Sequence, residues 1–349
     1  MRKSKSIEAV DLFCGVGGLT YGLAKAGVVV KAGYDIDQAC EYPYNQNNKA
    51  TFVSKSVHEL TGAEVGRWYS PGAIRLLAGC APCQPFSTLV NGRDTTNDEK
   101  WGLLGEFARL VREVRPELVT MENVPRVTNH SPYAGFVQAL KDLGYHVDAR
   151  RLRCADYGVP QERRRFVLVA SRLGEIEIPP PSKTTCTVRD AISNLPSLEA
   201  GEEDATDPLH KARRLSPINL QRIRTSKPGG TWSDWPEELR APCHKAESGQ
   251  SFKSVYARMS WDKPSPTITT QCFNFGTGRF GHPEQDRAIT LREAAILQSF
   301  PHDYQFTRPK ETVHFMSVGR MIGNAVPPRL GEIVGQVFVN HIKKHGENQ

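Results

Sequence analysis

The sequence predicts an α/β protein with a doubly wound, mostly parallel sheet and a second, smaller loop-rich domain. Three observations carry this. Up to about residue 170, short β-branched runs alternate with amphipathic stretches, the pattern of strands joined by crossover helices. The alternation stops at Ile178-Pro179-Pro180-Pro181-Ser182, after which turn residues and isolated aromatics prevail. Near the end, Leu330, Ile333, Val334, Val337, Phe338 and His341 fall at helical spacing and form one apolar face, which needs a partner surface. The length of 349 residues suits about two domains of roughly 150 residues each. The expected division is 1–181 with 318–349, and 182–317 between them.

Taken in order, the strands expected are Ile7 to Phe13, Val28 to Tyr34, Ala73 to Ala78, Leu118 to Met121 and Phe166 to Ala170. Each is short, rich in apolar residues and free of proline. Leu19 to Ala26 reads as a helix, as do Leu103, Phe107, Leu110, Val111 and Val114 at helical spacing. Beyond Ser182, Glu202-Glu203-Asp204 and Lys227-Pro228-Gly229-Gly230-Thr231 mark loops.

Composition narrows the function. A hydrophobic fraction of 39% against 24% charged residues suits a packed core and excludes disorder throughout. Apolar runs such as Val28-Val29-Val30 fall far short of the roughly 20 residues of a membrane span. The basic start, Met1 to Ile7, leads into no apolar stretch, so a soluble, cytoplasmic protein without a secretion signal is expected. The eight cysteines are then expected as free thiols. Lys and Arg number 45 against 38 Asp and Glu, a net charge of +7. Arg150, Arg151, Arg153, Arg163, Arg164, Arg165 and Arg172 crowd one segment, the footprint expected for a phosphate backbone.

Four motifs carry chemistry. After the first strand comes Asp11-Leu12-Phe13-Cys14-Gly15-Val16-Gly17-Gly18, where glycines let a ligand approach the backbone, or simply make a tight turn. Asp35 ends the second strand, placed for ribose hydroxyls. Thr20 stands where a dinucleotide site has its third glycine, which disfavours a nicotinamide cofactor. The second motif is Gly79-Cys80-Ala81-Pro82-Cys83-Gln84-Pro85-Phe86-Ser87. Cys80 and Cys83 could be half of a zinc site, but no second Cys-x-x-Cys completes it. Alternatively Cys83, on a turn between two prolines, is a nucleophile, given surroundings that favour its thiolate. Third is Met121-Glu122-Asn123-Val124-Pro125, a carboxylate at a strand end. Fourth is Gln161-Glu162-Arg163-Arg164-Arg165, where alternation sends Arg163 and Arg165 to one side as a fork for a phosphate or a base oxygen.

In this order, together with Arg292 to Pro301 and Gly323-Asn324-Ala325-Val326-Pro327-Pro328, these motifs closely resemble the cytosine-C5 DNA methyltransferases over nearly the whole chain. The resemblance implies a Rossmann-like catalytic domain and the cofactor S-adenosyl-L-methionine. Phe13, Gly15, Gly17, Asp35, Ile36, Pro82, Leu103 and Asn324 would bind it, with Asp35 on the ribose and Ile36 against adenine. Ser56 stands where the family usually has an acidic residue for the adenine amine. The implied catalytic residues are Cys83, Glu122, Arg163 and Arg165. Cys83 would add to C6 of a cytosine flipped out of double-stranded DNA, and the methyl group would go to C5. An ordinary glutamate is almost wholly ionised at pH 7, so Glu122 would need burial or the base itself to hold a proton.

The resemblance also makes 182–317 a target-recognition domain. Gln84, Ser87, Arg165, Arg258, Thr267, Asn274 and Arg279 are the expected DNA contacts, with Thr267 on a phosphate. No metal is implied; a companion restriction endonuclease and a monomeric state are. An RNA cytosine methyltransferase shares the chemistry, but Ser87 and the long recognition segment favour DNA. A catalytically silent DNA-binding regulator would have no need of Cys83, Glu122 and Arg165 together.

Overall fold

Seven short segments pair into one sheet: β1 Ile7–Leu12, β2 Val29–Asp35, β3 Thr51–Ser54, β4 Ile74–Gly79, β5 Leu118–Asn123, β6 His146–Arg153 and β7 Arg164–Ser171. They are seen in a computed structural model that describes residues 6–82, 102–182, 185–249 and 251–346. The order across the sheet is β3-β2-β1-β4-β5-β7-β6. The neighbours from β3 to β5 run parallel, whereas β7 is antiparallel to both β5 and β6. Every residue of β1 and of β5 is buried, as central strands covered on both faces must be.

Alternation along the strands divides the two faces. Val10, Leu12, Ala32, Tyr34, Leu77, Val119, Met121, Phe166, Leu168 and Ala170 join one core cluster. Leu104, Phe107, Leu110 and Val111 of the helix Gly102–Val114 and Phe136, Ala139 and Leu140 of the helix Ser131–Asp142 belong to the same cluster. Each such leucine or phenylalanine contributes about 1.5–3 kcal/mol on burial. Residues of the opposite parity are bonded to other helices. Asp11 accepts from Thr20 of the helix Gly18–Lys25 at 2.7 Å, and Ser171 bonds His341 of the helix Pro328–Gly346 at 2.7 Å. These two helices pack directly on each other. A Cβ on Gly22 would lie 2.2 Å from the Pro328 carbonyl oxygen and 2.5 Å from the Glu332 nitrogen, so only glycine permits the approach.

Two strands escape the pattern of short apolar runs. β3 has only four residues, and β6 reads His-Val-Asp-Ala-Arg-Arg-Leu-Arg because it lies at the sheet's margin and is mostly half-buried.

The chain divides into two compact units, residues 1–153, 164–181 and 325–349 in the first, 154–163 and 182–324 in the second. The return to the first unit thus comes after Asn324 rather than at 318. The helix Phe315–Asn324 packs within the second unit, where a Cβ on Gly323 would sit 2.5 Å from the Thr269 carbonyl carbon. The second unit contains none of the seven strands. Ile223, Trp232, Trp235, Phe275 and Ala288 form an apolar cluster there. Beside it runs a buried charge network. Arg287 donates to Glu293 through two nitrogens, each at 2.8 Å, and Glu293 also closes a capping box with Thr290. Burial works to raise the Glu293 carboxyl, but Arg287 outweighs it and holds the value at about 2. Burial depresses His282 to about 4, against the opposing pull of Glu293.

Two outcomes follow from this packing. Gly22→Val should lower stability by about 1–3 kcal/mol through overpacking, read as a fall in melting temperature; an unchanged value would contradict the contact. Both His282 and Glu293 have folded values below their ordinary ones, so the unfolded chain binds more protons and acid destabilises the second unit. The His282 contribution is lost as pH falls from about 6.5 to about 4, and that of Glu293 as pH falls from about 4.5 through about 2. Denaturation followed by Trp232 and Trp235 fluorescence should show a weaker pH dependence between 4 and 6.5 in His282→Asn; equal dependence in both proteins would exclude His282 as its source.

Candidate active site

Parallel pairing sends the carboxyl ends of β1, β2, β4 and β5 to one edge of the sheet, where ligands of doubly wound folds bind. Beyond β1 the chain turns through left-handed conformations at Phe13 (φ 58°), Gly15 (φ 51°) and Gly17 (φ 89°). Asp35, at the end of β2, clamps this turn. Its Oδ2 accepts from the Gly15 amide at 2.8 Å and its Oδ1 from the Asp37 amide at 2.9 Å. Burial raises its carboxyl above the ordinary range. Next to it, Ile36 is 73% exposed, a large apolar side chain left uncovered. A Cβ on Gly15 would meet nothing within 4 Å, so the space above the turn is open. Beneath it, burial lifts Asp11 to about 7, partly countered by the Thr20 hydroxyl. Cys14 is pushed well above its ordinary value by burial, then by Asp11 and Asp35, and stays a thiol.

The second half of the site lies at the ends of β4 and β5. Glu122 is buried, with Arg165 Nε 2.7 Å from its Oε1 and the Cys80 thiol donating to its Oε2 at 2.8 Å. Because β7 is antiparallel to β5, its first residues lie at the carboxyl edge; Phe166 pairs with Asn123 and Val167 with Glu122. That register brings a cation from the start of one strand to a carboxylate at the end of another. Gly79 pairs with Met121, so Cys80 follows beside Glu122. Asn123 is buried and donates to the Ala81 carbonyl at 3.1 Å, fixing the chain just before Pro82.

The remaining expected residues are distributed as follows. Cys83, Gln84 and Ser87 lie outside the described residues. Pro82 and Leu103 are half-buried, Leu103 against the core cluster. Ser56 caps a short turn, its hydroxyl accepting from the His58 amide at 3.4 Å. Asn324 is exposed at the end of its helix in the second unit. Thr267 is half-buried in the second unit.

Several expected ligand-facing side chains are instead occupied internally. Arg163 does not form a fork with Arg165, because β7 begins at Arg164 and strand alternation does not reach back to it. Its guanidinium is buried in the second unit and donates to the carbonyls of Ile268 at 3.1 Å and Gly323 at 2.9 Å. Arg258 is buried and donates to the carbonyls of Ile223, Ser226, His282 and Gln285, besides pairing with Asp286, so its guanidinium serves the interior of the second unit. Arg279 donates to Gly230 and Arg258 carbonyls, and Asn274 accepts from Arg213. The arginines of 150–172 are half-buried or exposed, Arg163 being the buried one, and several are paired at the surface. Arg150 pairs with Asp148 and Glu177, Arg151 bonds Thr128 and Arg172 pairs with Glu117, while Arg164 is exposed.

Gln161 and Cys80 have roles that motif reading left unassigned. Gln161 is fully buried; its Nε2 donates to the Leu297 carbonyl and to Gln298, and its Oε1 accepts from the Ile268 amide at 2.9 Å. Gln298 in turn donates to the Ile322 carbonyl. The late motifs Arg292 to Pro301 and Gly323-Asn324 therefore meet the Gln-x-Arg motif in one polar core of the second unit.

Comparison with known proteins supplies the family. A sequence profile of C-5 cytosine-specific DNA methylases matches residues 7–340. The type II methylase M.HgiDII of Herpetosiphon aurantiacus is 50% identical over 346 residues, covering 97% of each chain. The type II methyltransferase M.Eco47II of Escherichia coli is 31% identical over 96% of this chain and 79% of its own. In fold, the chain is similar to a prophage-encoded E. coli protein described as a DNA modification methyltransferase, with a TM-score of 0.72 and 24% identity over 96% of this chain and 99% of that one. A carboxylate clamped at the sheet's carboxyl edge, an aspartate-held glycine turn and a profile match across both units lead to one conclusion: the chain belongs to the C-5 cytosine-specific DNA methylase family and is a DNA cytosine-C5 methyltransferase.

Proposed function

We propose that the enzyme uses S-adenosyl-L-methionine to methylate a cytosine flipped out of double-stranded DNA, through a covalent bond between Cys83 and C6. The observation that carries this reading is the buried Glu122, oriented by Arg165 at the same sheet edge as the Asp35-held turn. Cytosine C5 is a poor nucleophile until a group adds at C6. The Cys83 thiolate supplies that group, and electron density moves through the ring toward N3. Glu122 hydrogen-bonds the exocyclic amine and delivers a proton to N3 as charge builds there. Arg165 keeps the carboxylate aimed, and its own charge favours a polarised base. The resulting enamine is nucleophilic at C5. S-adenosyl-L-methionine, when bound, supplies an electrophilic methyl group at that carbon. Loss of the C5 proton and departure of the Cys83 sulfur then restore the aromatic ring.

The first unit suits the cofactor. Asp35 offers carboxylate lone pairs to ribose hydroxyls beside the open space over Gly15, and exposed Ile36 offers an apolar face to adenine. Ser56, Pro82 and Leu103 of the first unit are further proposed cofactor contacts, and Asn324 is proposed as one from the family resemblance alone. Phe13 and Gly17 shape its floor. Flipping the target costs a few kcal/mol of unstacking. The second unit reads the DNA, and Thr267 remains the candidate phosphate contact within it, with Gln84 and Ser87 as further expected DNA contacts. The type II names of the relatives support a companion restriction endonuclease with the same target. Among the described residues no helix is long and apolar enough to cross a membrane.

Asp35→Ala should weaken S-adenosyl-L-methionine binding about tenfold or more, since a hydrogen bond to a charged group is worth about 1.5–3 kcal/mol, and should leave binding to bare DNA nearly intact. Calorimetry giving an unchanged cofactor affinity would remove Asp35 from the site. Cys83→Ser should abolish methyl transfer while retaining cofactor and DNA binding, because a serine hydroxyl provides almost no alkoxide. With fluorine in place of the C5 hydrogen, no proton can leave after methyl transfer, and the wild-type enzyme should stay bonded to DNA as a band that survives denaturation. Mass spectrometry should place the nucleotide on Cys83. An adduct on Cys80, or one formed equally by Cys83→Ser, would refute the assignment.

A further inference from the structure

We infer that Cys80 is a positioning residue for methyl transfer, its thiol hydrogen-bonding Oε2 of Glu122 while Arg165 is ion-paired at Oε1, an oxygen without a hydrogen bond among the described residues; the inference rests on the assignment of Glu122 to the target base. The contact is 2.8 Å, and Glu122 is only 5% exposed, so little water competes for the oxygen. The backbone at Cys80 is pinned on both sides. Its amide donates to the Leu12 carbonyl at 3.2 Å, the next carbonyl accepts from Asn123, and the β4–β5 register sets Cys80 beside Glu122.

The terminal torsion of a glutamate is soft, so a carboxylate held by an ion pair without an aligned hydrogen bond can swing about that contact. A donor at the other oxygen fixes its plane. The choice of donor matters as much as its presence. A thiol is a weak donor. It aims Oε2 yet yields that oxygen to the base at small cost, whereas a hydroxyl would hold the ionised carboxylate more firmly and oppose protonation of N3. Among the described residues, the charged and titratable groups touching Glu122 are Arg165 from β7 and Cys80 from the end of β4. Cys80 is also poorly suited to be the nucleophile, because a thiolate would face the Glu122 carboxylate.

The test compares Cys80→Ala and Cys80→Ser in the full chain, with single-turnover methyl transfer to DNA measured as a function of pH, each also in a Glu122→Gln background. Cys80→Ala should slow methyl transfer about tenfold through loss of aim, with KM for DNA and for S-adenosyl-L-methionine unchanged. Removing a donor disfavours the charged carboxylate, so the proton is retained longer and the basic limb of the rate profile should move up in pH. Cys80→Ser should move that limb down, by on the order of half a unit. In Glu122→Gln, Cys80→Ala should have no further effect. Wild-type rates and profiles in both variants, limbs shifted in the same direction, or an equal loss in the Glu122→Gln background would each overturn the inference. A wild-type rate in Glu122→Gln alone would overturn the assignment of Glu122 instead. If Cys80→Ala melts too early to assay, the direction of the Cys80→Ser shift decides.

Discussion

Antiparallel pairing of β7 with β5 is the constraint on which the carboxylate half of the candidate site depends. In an all-parallel sheet the start of every strand lies at the edge remote from the ligand. Reversing β7 puts its first residues at the ligand edge, so Arg165 reaches Glu122 without a loop to carry it. A cation placed by a strand is held more rigidly than one on a loop, and so is the carboxylate it pairs with. The parallel strands deliver the other parts to the same edge: the turn after β1, Asp35 after β2, and Cys80 after β4.

The second unit meets a different physical demand. With none of the sheet strands, it has many backbone carbonyls that no ladder satisfies. Arginine, with five donors in a fixed fork, is suited to collect them. Arg163, Arg258 and Arg287 each lie buried and donate to carbonyls of segments far apart in sequence. Gln161 and Gln298 do the same with neutral amides. A loop-rich body is thus held by side-chain-to-backbone bonds around a modest aromatic cluster, and its buried arginines are structural.

This explains what could and could not be read from the sequence. Strands β1, β2, β4, β5 and β7 announce themselves as apolar runs, and the helix Pro328–Gly346 as a periodic stripe. The strand β6 does not, because its half-buried position leaves it arginine-rich and nearly free of apolar alternation. At the site, Asp35 and Glu122 were legible because carboxylates at strand ends are chemically conspicuous. The pairing of Arg165 with Glu122, and of Cys80 with the same carboxylate, was not, since strand direction and register are not written in a single run of residues. Arginines mislead most: Arg163 and Arg258 look like phosphate ligands by residue type, and only their surroundings reveal donors already engaged.

The close contact between the helices Gly18–Lys25 and Pro328–Gly346 has a consequence for how the protein is made. Leu19, Leu23 and Gly22 lie near the start of the chain, yet the surface that covers them is supplied by Gly331 and Gly335 near its end. During synthesis at about 5–20 residues per second, the sheet emerges first and then waits while the entire second unit is translated. Throughout that interval the helix Gly18–Lys25 lacks its partner, and the closure is a pairing of very high sequence separation. Until the helix Pro328–Gly346 is made, Leu19 and Leu23 stay without that cover, and a chain cut short after residue 324 has all seven strands but lacks this packing.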